Sequence, residues 1–256
     1  MAGRRASHNG GRVTERSKDS RKVKIDDFIK HSIAVSVLAE HIYCEAKILA
    51  RKQVGEIQTP YELEGTKIHE EEATKAMEGK EVTEAKDIET VHDLMTLSAT
   101  NIRKALEVRT VLANPKGATL FAAILPCGVY GKPDSVDCTS GEQPILVELK
   151  TKKELPRRGS PWPNDELQLA AYMMGLEQLG FDPPYGILTY KLRADPEQTI
   201  EFRVKLTPEL RSKVESTAGR VRRILEGAEQ PTPPDYINKC ASCPAEYREV
   251  CRYKLC

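Results

Sequence analysis

The chain of 256 residues is long enough to bury a sizeable core, and 39% hydrophobic with 30% charged residues is the composition of a soluble globular protein. No apolar run approaches the roughly eighteen residues of a membrane-spanning helix, and the first residues carry no apolar signal core, so a membrane-embedded or secreted protein is not expected. A net charge of +1 excludes a broadly basic nucleic-acid-binding surface, but residues 1–24 hold eight basic side chains against Glu15 and Asp19, which leaves the remainder acidic.

Those first 24 residues are rich in Arg, Lys, Ser and Gly, so burial cannot offset the entropy of ordering them. They read as a disordered basic tail, either a DNA-touching arm or a solubilising extension. Asp26 and Asp27 then open a helix whose positions Phe28, Ile29, Ile33 and Val37 lead through His41 to Cys44. Residues 61–69, with Gly65 and His69, feed a charged helix toward Met77. Residues 84–112 read as a long amphipathic helix or pair, with Ile88, Val91, Leu94, Met95, Ile102, Leu106 and Val108 inward and Asn114-Pro115-Lys116-Gly117 as its stop.

Residues 120–129 form an apolar strand leading to Gly131-Lys132-Pro133-Asp134, and residues 139–142 a turn before the β-branched strand 144–150. Alternation predicts Ile145, Val147 and Leu149 on the core face and Leu146, Glu148 and Lys150 on the other, a carboxylate and an ammonium about 7 Å apart. A hairpin at the turn brings Asp134 beside Glu148. Two converging carboxylates suit Mg²⁺ or Mn²⁺, which activates water and stabilises charge on a phosphoryl group. Lys150 is placed to hold the attacking water or the phosphate. Taken alone, Glu148 and Lys150 are an ordinary strand ion pair and Asp134 a turn residue.

The loop 154–164 holds Arg157, Arg158, Gly159 and Trp162, groups that suit single-stranded DNA as well as an ordinary surface. Asn164 or Asp165 caps a helix on which Gln168 and Tyr172, four apart, face the same way. Residues 185–192 and 199–206 alternate as two further strands. Thr207-Pro208 opens a helix to about residue 225, and Pro231, Pro233 and Pro234 form a stiff linker. Strands with flanking helices make an α/β layered core with a mixed sheet.

Seven cysteines without a secretion signal point to a reducing compartment, the cytoplasm by default. Cys240-Ala-Ser-Cys243 followed by Cys251 is a metal-binding spacing that still needs a fourth ligand. Four thiolates hold either Zn²⁺ or an iron-sulfur cluster, and spacing does not choose between them. Cys127 and Cys138 are assigned to packing.

Gly131-Lys132-Pro133-Asp134, the Glu148-Leu149-Lys150 strand and Gln168-Leu-Ala-Ala-Tyr172, in this order, resemble the PD-(D/E)xK nuclease superfamily in its RecB-like branch. The resemblance, from about residue 25 onward, implies an α/β restriction-endonuclease-like core with a mixed central sheet flanked by helices, plus N-terminal helices and a C-terminal Cys-rich iron-sulfur segment. It implies that Asp134 and Glu148 are ligands of Mg²⁺ or Mn²⁺, that His69, following Gly65, is a further ligand, that Lys150 is catalytic, and that Gln168 and Tyr172 line the site. RecB-like nucleases of the CRISPR-associated type carry one Cys upstream of these motifs and three downstream around a 4Fe-4S cluster. Cys44, Cys240, Cys243 and Cys251 match that layout, although the gap from Cys243 to Cys251 is longer than usual and the extra Cys256 could replace Cys251 or Cys44 as ligand.

On this reading residues 25–256 are a single nuclease domain, with a helical part over 25–115, a catalytic core over 116–227 and a cluster-binding segment over 228–256. The implied function is a metal-dependent exonuclease acting on single-stranded DNA ends before CRISPR spacer acquisition, with CRISPR integration proteins as candidate partners. The alternatives are a stand-alone RecB-like repair or recombination nuclease, a non-catalytic DNA-end-binding subunit, and a zinc-stabilised structural protein.

Overall fold

The structure is a computed structural model that describes residues 23–78, 83, 88–157 and 159–255. Most of the basic tail (1–22), the first turn of the predicted 84–112 helix (84–87), Arg158 and Cys256 lie outside the described residues. Among those described, no helix is long and apolar enough to cross a membrane.

The helix expected to run to Cys44 is divided into α1 (Ile25–His31), the short strand β1 (Ile33–Ala34) and α2 (Val35–Tyr43), and α3 (Glu45–Val54) follows. Ser32 is extended, and the Ile33 amide donates to Gly128 O at 2.8 Å, because β1 pairs in parallel with the distant Val129–Gly131 segment. Asp26 and Asp27 lie in the first turn of α1 rather than capping it, where their charge still suits the positive helix end. Val23 and Lys24 belong to the fold: the Val91 amide donates to Val23 O, and Lys24 bridges Thr90.

Next comes α4 (Pro60–Met77), opened by a capping box in which Thr59 and Glu62 each accept the other's amide. Thr90 caps α5 (Val91–Glu107), whose buried face includes Val91, Ala99, Ile102 and Ala105. Val108, expected inward, falls past the helix end and is 71% exposed.

The apolar run 120–129 is two strands rather than one. Pro126 and Gly128, the latter in left-handed backbone at φ 55°, interrupt it with a 3-10 turn between β3 (Ala122–Ile124) and β4 (Val129–Gly131). Together with β1 they form a three-stranded sheet in the order β1-β4-β3. The hairpin partner of the strand that carries Glu148 is instead β5 (Ser135–Asp137). With β2 (Val111–Ala113), β6 (Ile145–Lys152), β7 (Gly186–Leu192) and β8 (Asp195–Val204) it forms a five-stranded sheet in the order β2-β5-β6-β7-β8. The β6–β7 pair is parallel and its neighbours antiparallel, so the sheet is mixed as expected. The parallel step requires a crossover, which α6 (Pro163–Gln178) supplies.

Alternation along β6 holds, but the core lies on the side opposite to the one expected. Leu146 and Glu148 are buried, while Ile145, Val147 and Leu149 are half-buried. The cause is α6, buried along most of its length, which covers the Glu148 face, whereas α4, with no fully buried residue, covers the other side only in part. Thr207 caps α7 (Pro208–Glu226), which packs on α6, α2 and α3. Beyond the proline-rich segment, α8 (Ile237–Ala241) and α9 (Ala245–Val250) bring the chain back against α3.

Candidate active site

Asp134 directly precedes β5 and Glu148 lies midway along β6. The register that sets Ser135 against Val147 places the two carboxyl groups side by side, with the Asp134 amide 3.4 Å from Glu148 Oε2. Backbone fixes Asp134 from two directions. Its Oδ2 accepts from the Leu149 amide at 2.9 Å, and its carbonyl accepts from the Asn114 amide at 2.8 Å. Its Oδ1 lies 3.3 Å from His69 Nδ1, so α4 delivers the imidazole to the site.

Asn114 is a positioning residue that sequence reading misses, because there it is only a helix stop before proline. It is buried, and its Nδ2 donates to the carbonyls of Pro133 at 2.7 Å and Leu120 at 3.0 Å, while its Oδ1 accepts from the amides of Thr119 and Leu120. It thereby pins the Lys132-Pro133-Asp134 segment to residues 119–120. An amide side chain has both donors and acceptors for that task, which is the one signal the residue type offers. Gly131 is required for a different reason: a Cβ there would lie 2.4 Å from the Tyr172 ring.

Glu148 is buried within a closed triangle. Its Oε1 accepts from Lys150 Nζ at 3.0 Å and from Gln168 Nε2 at 2.9 Å, and Gln168 Oε1 accepts from Lys150 Nζ at 2.9 Å. The Tyr172 hydroxyl closes the inner end, accepting from Gln168 Nε2 at 3.3 Å. Burial, then the charge of Asp134, push the Glu148 carboxyl up to about 7 against the pull of Lys150. Burial also works to raise Asp134, but the hydrogen bond and charge of His69, with Lys150 and the Leu149 amide, outweigh it and hold Asp134 below its ordinary value. Burial opposes the Lys150 charge, yet Glu148, Asp165 and Asp134 together raise it, so the ammonium persists. The Tyr172 phenol is raised well above its ordinary value by burial and by Glu148.

A buried and a half-buried carboxyl that resist carrying charge together, with an imidazole against one of them, form a donor set that a hard divalent cation would relieve. Among the described residues no three His, Cys, Asp or Glu side chains already stand as a complete ligand set. Mg²⁺ does not require one, since it takes one or two carboxylates and completes its shell with water and phosphate oxygens.

A profile of the PD-(D/E)XK nuclease superfamily matches residues 46–252. The chain belongs to this superfamily. Its members generally use Mg²⁺ or Mn²⁺, and Pro133-Asp134 and Glu148-Leu149-Lys150 spell the two elements of the superfamily's name. Among solved structures, SSO0001 shares the fold at a TM-score of 0.52 and 14% identity over 88% of each chain. Two structures of LHK-Exo, an alkaline exonuclease from Laribacter hongkongensis, are each 13% identical. The one in complex with dAMP has a TM-score of 0.42 and covers 77% of this chain and 89% of its own. The other has a TM-score of 0.35 and covers 82% and 93%. No curated protein sequence matches.

The predicted thiols lie around one pocket, but among the described residues they form no group of three or more that could hold a metal ion. Cys44 joins α2 to α3, Cys240 lies in α8, Cys243 precedes α9 and Cys251 ends it, and all four line one cavity of about 140 Å³. Long-range contacts hold this corner closed. Arg220 of α7 pairs with Glu45 beside Cys44, Glu45 accepts the Thr232 amide at 2.7 Å, and the Tyr247 hydroxyl donates to Gly55 O at 2.9 Å and accepts from the Ile57 amide at 2.9 Å. Burial raises the Cys44 thiol and pushes Cys243 up to about 11, with the neighbouring thiols adding to both shifts. Lys47, Lys239, Arg248 and Lys254 also line the cavity, against Glu62 as the one carboxylate among the described residues. Cys127 packs half-buried against the core and Cys138 is fully buried, so neither lines the cavity.

Trp162 is not a free stacking platform. Its ring packs edge-to-face on Tyr190 with centroids 5.1 Å apart, and the Lys152 ammonium sits 5.2 Å from its centroid. Trp162 also occupies the N-cap position of α6, which puts Asn164 and Asp165 in the first turn instead of at the cap. Arg157 is exposed and paired with Glu154.

Proposed function

We propose that this chain is a metal-dependent deoxyribonuclease that shortens single-stranded DNA from its ends. The observation that carries the reading is the Glu148–Lys150–Gln168 triangle with Asp134 set against it. Asp134, Glu148 and His69 would hold Mg²⁺ or Mn²⁺, which lowers the pKa of bound water and stabilises charge on the phosphoryl group. Lys150 has three donors. Two serve Glu148 and Gln168, which aims the third at the attacking water or a phosphate oxygen. Gln168 and Tyr172 keep that ammonium and carboxylate in place, and burial in a low-dielectric cleft strengthens both.

A 4Fe-4S cluster would be held by Cys44, Cys240, Cys243 and Cys251, which line one cavity. Sulfur donors are the soft ligands such a centre takes, and the four surrounding cations offset the negative charge of a tetrathiolate cluster. A centre there would staple the α2–α3 junction to the C-terminal segment across a very long loop, so its first contribution is architectural. Single-strand preference, end-directed action and a CRISPR-associated role alongside CRISPR integration proteins rest on the RecB-like motif order and the cysteine layout.

The test is to purify the protein anaerobically, measure iron and zinc, and incubate it with end-labelled single- and double-stranded DNA in Mn²⁺ or chelator. The expected outcome is about four irons per chain and metal-dependent shortening of the single strand. Binding without cleavage in any divalent metal would overturn the enzyme reading. Zinc in place of iron would keep the nuclease and remove the cluster.

A further inference from the structure

The catalytic strand carries one more cation on its active face. Lys152, the last residue of β6, lies two residues beyond Lys150 and four beyond Glu148, so alternation points all three to the same side. Its Nζ is 3.0 Å from Asp165 Oδ2 and 3.3 Å from Oδ1, and it lies over the Trp162 ring. This pair has a direction. The Asp165 side chain is 3% exposed and that of Lys152 30%, so the carboxylate is inside and the lysine is the partner partly open to solvent. Both holders are themselves fixed: Asn164 Nδ2 donates to Asp165 Oδ1 at 2.9 Å, and the Trp162 amide donates to the Tyr190 hydroxyl at 3.2 Å.

Burial, chiefly, and the neighbouring Lys150 charge lower the Lys152 ammonium against the pull of Asp165. The step from Lys150 to Lys152 along the strand is about 7 Å, comparable to one nucleotide of an extended single strand.

We propose that Lys152 is a phosphate-binding residue of the cleft, gripping the DNA phosphate next to the one that is cut, with Asp165 and Trp162 positioning its ammonium. The inference rests on the nuclease reading and adds a subsite to it. A phosphate here would fix the strand's register against Lys150 and Glu148, so the subsite acts on where the chain is cut as well as on how tightly it is held.

The test is equilibrium binding of single-stranded oligonucleotides in Ca²⁺ across a salt series, with the wild-type protein, Lys152→Gln and Lys152→Gln/Asp165→Asn. The double variant removes the buried orphan carboxylate that could unfold the single one, and thermal melts verify the fold. Losing one phosphate contact lowers the slope of log K against log salt by about 0.7. A companion set carries a single neutral methylphosphonate, stepped along the strand. In the wild type, neutralising the phosphate beside the scissile one weakens binding by about tenfold or more, and in the variants that penalty disappears. An unchanged salt slope together with a retained methylphosphonate penalty would overturn the proposal. Cleavage of the unmodified strand by the wild type in Mn²⁺ is read separately, so a chain that binds through Lys152 but never cuts would sink the nuclease reading and keep the subsite.

Discussion

Glu148 and Asp134 are neighbours on paired strands, with Glu148 Oε2 3.4 Å from the Asp134 amide, yet their environments move them in opposite directions. His69 and the Leu149 amide keep Asp134 ionised, while burial and that same Asp134 charge push Glu148 up to about 7. One carboxyl is thus held below its ordinary value and the other is pushed up to about 7.

This difference predicts the pH dependence of the metal-free protein. Glu148 starts from an ordinary value of 4.5 and reaches about 7 when folded, so the native state binds this proton more tightly than the unfolded chain does. The associated stability is fully present below 4.5 and is lost as pH rises to about 7. Thermal melts in chelator should show that fall, and Glu148→Gln should flatten it. Mn²⁺ requires the ionised form, so its affinity should climb with pH and level off above about 7. Parallel pH slopes for wild type and variant would show that Glu148 is not the group responsible.

Lys150 sits at the centre of the polar triangle, and its removal should separate chemistry from binding. In Lys150→Met the Glu148 carboxyl loses its ammonium partner and Gln168 Oε1 loses its donor. Single-turnover cleavage should fall by at least about a hundredfold, the scale of losing one preorganised electrostatic donor. Binding of single-stranded DNA in Ca²⁺ should change by less than about tenfold, since one phosphate contact is a small part of a strand's hold. A loss of similar size in both assays would make Lys150 a binding residue rather than a catalytic one.

The order of the motifs, the turn before β6 and the alternation along it were all legible in the residues, because each is a local property. What the alternation could not reveal was which face is covered. Ile145, Val147 and Leu149 look like the core side, but α6 packs over Leu146 and Glu148, and that choice is made by a crossover helix outside the strand. The break at Ser32 was invisible for the same reason: Ile33 continues a helical spacing, and its competing partner, Val129, is remote in sequence. The Cys240–Cys243 pair announces itself by spacing, whereas the place of Cys44 beside it depends on α9 packing on α3.

Asn114 offers the sharpest check on a residue that no motif includes. Replacing it with Ala removes the donors to Pro133 O and Leu120 O and the acceptor for the Thr119 and Leu120 amides, all of them buried. At about 1 kcal/mol for each of these four buried partners left unpaired, the cost should be about 4 kcal/mol. Urea unfolding should show a lower midpoint at unchanged slope. Because the Asn114 amide and side chain bracket Asp134, cleavage at a temperature where the variant is fully folded should also fall, through kcat rather than KM. Stability lost with kcat intact would confine Asn114 to the fold.

Two cysteines with opposite surroundings test the corner cavity. Cys44 lines it beside Cys240, Cys243 and Cys251, whereas Cys138 is fully buried in the core, its thiol pushed up to about 12 by burial and by Asp137. If the proposed 4Fe-4S centre is held by Cys44, Cys44→Ala should abolish the visible absorption of an anaerobic preparation, drop its iron content and lower its melting temperature, because the staple between α3 and the C-terminal segment would be lost. Cys138→Ala leaves a small void and should cost about 1 to 2 kcal/mol with metal content unchanged. Alkylation adds an independent readout. With its thiol up at about 11, Cys243 of the chelated protein should react slowly with iodoacetamide at neutral pH, since only the thiolate attacks. Identical metal content in Cys44→Ala and the wild type would remove Cys44 from the ligand set and leave the cavity's fourth thiol to be found elsewhere.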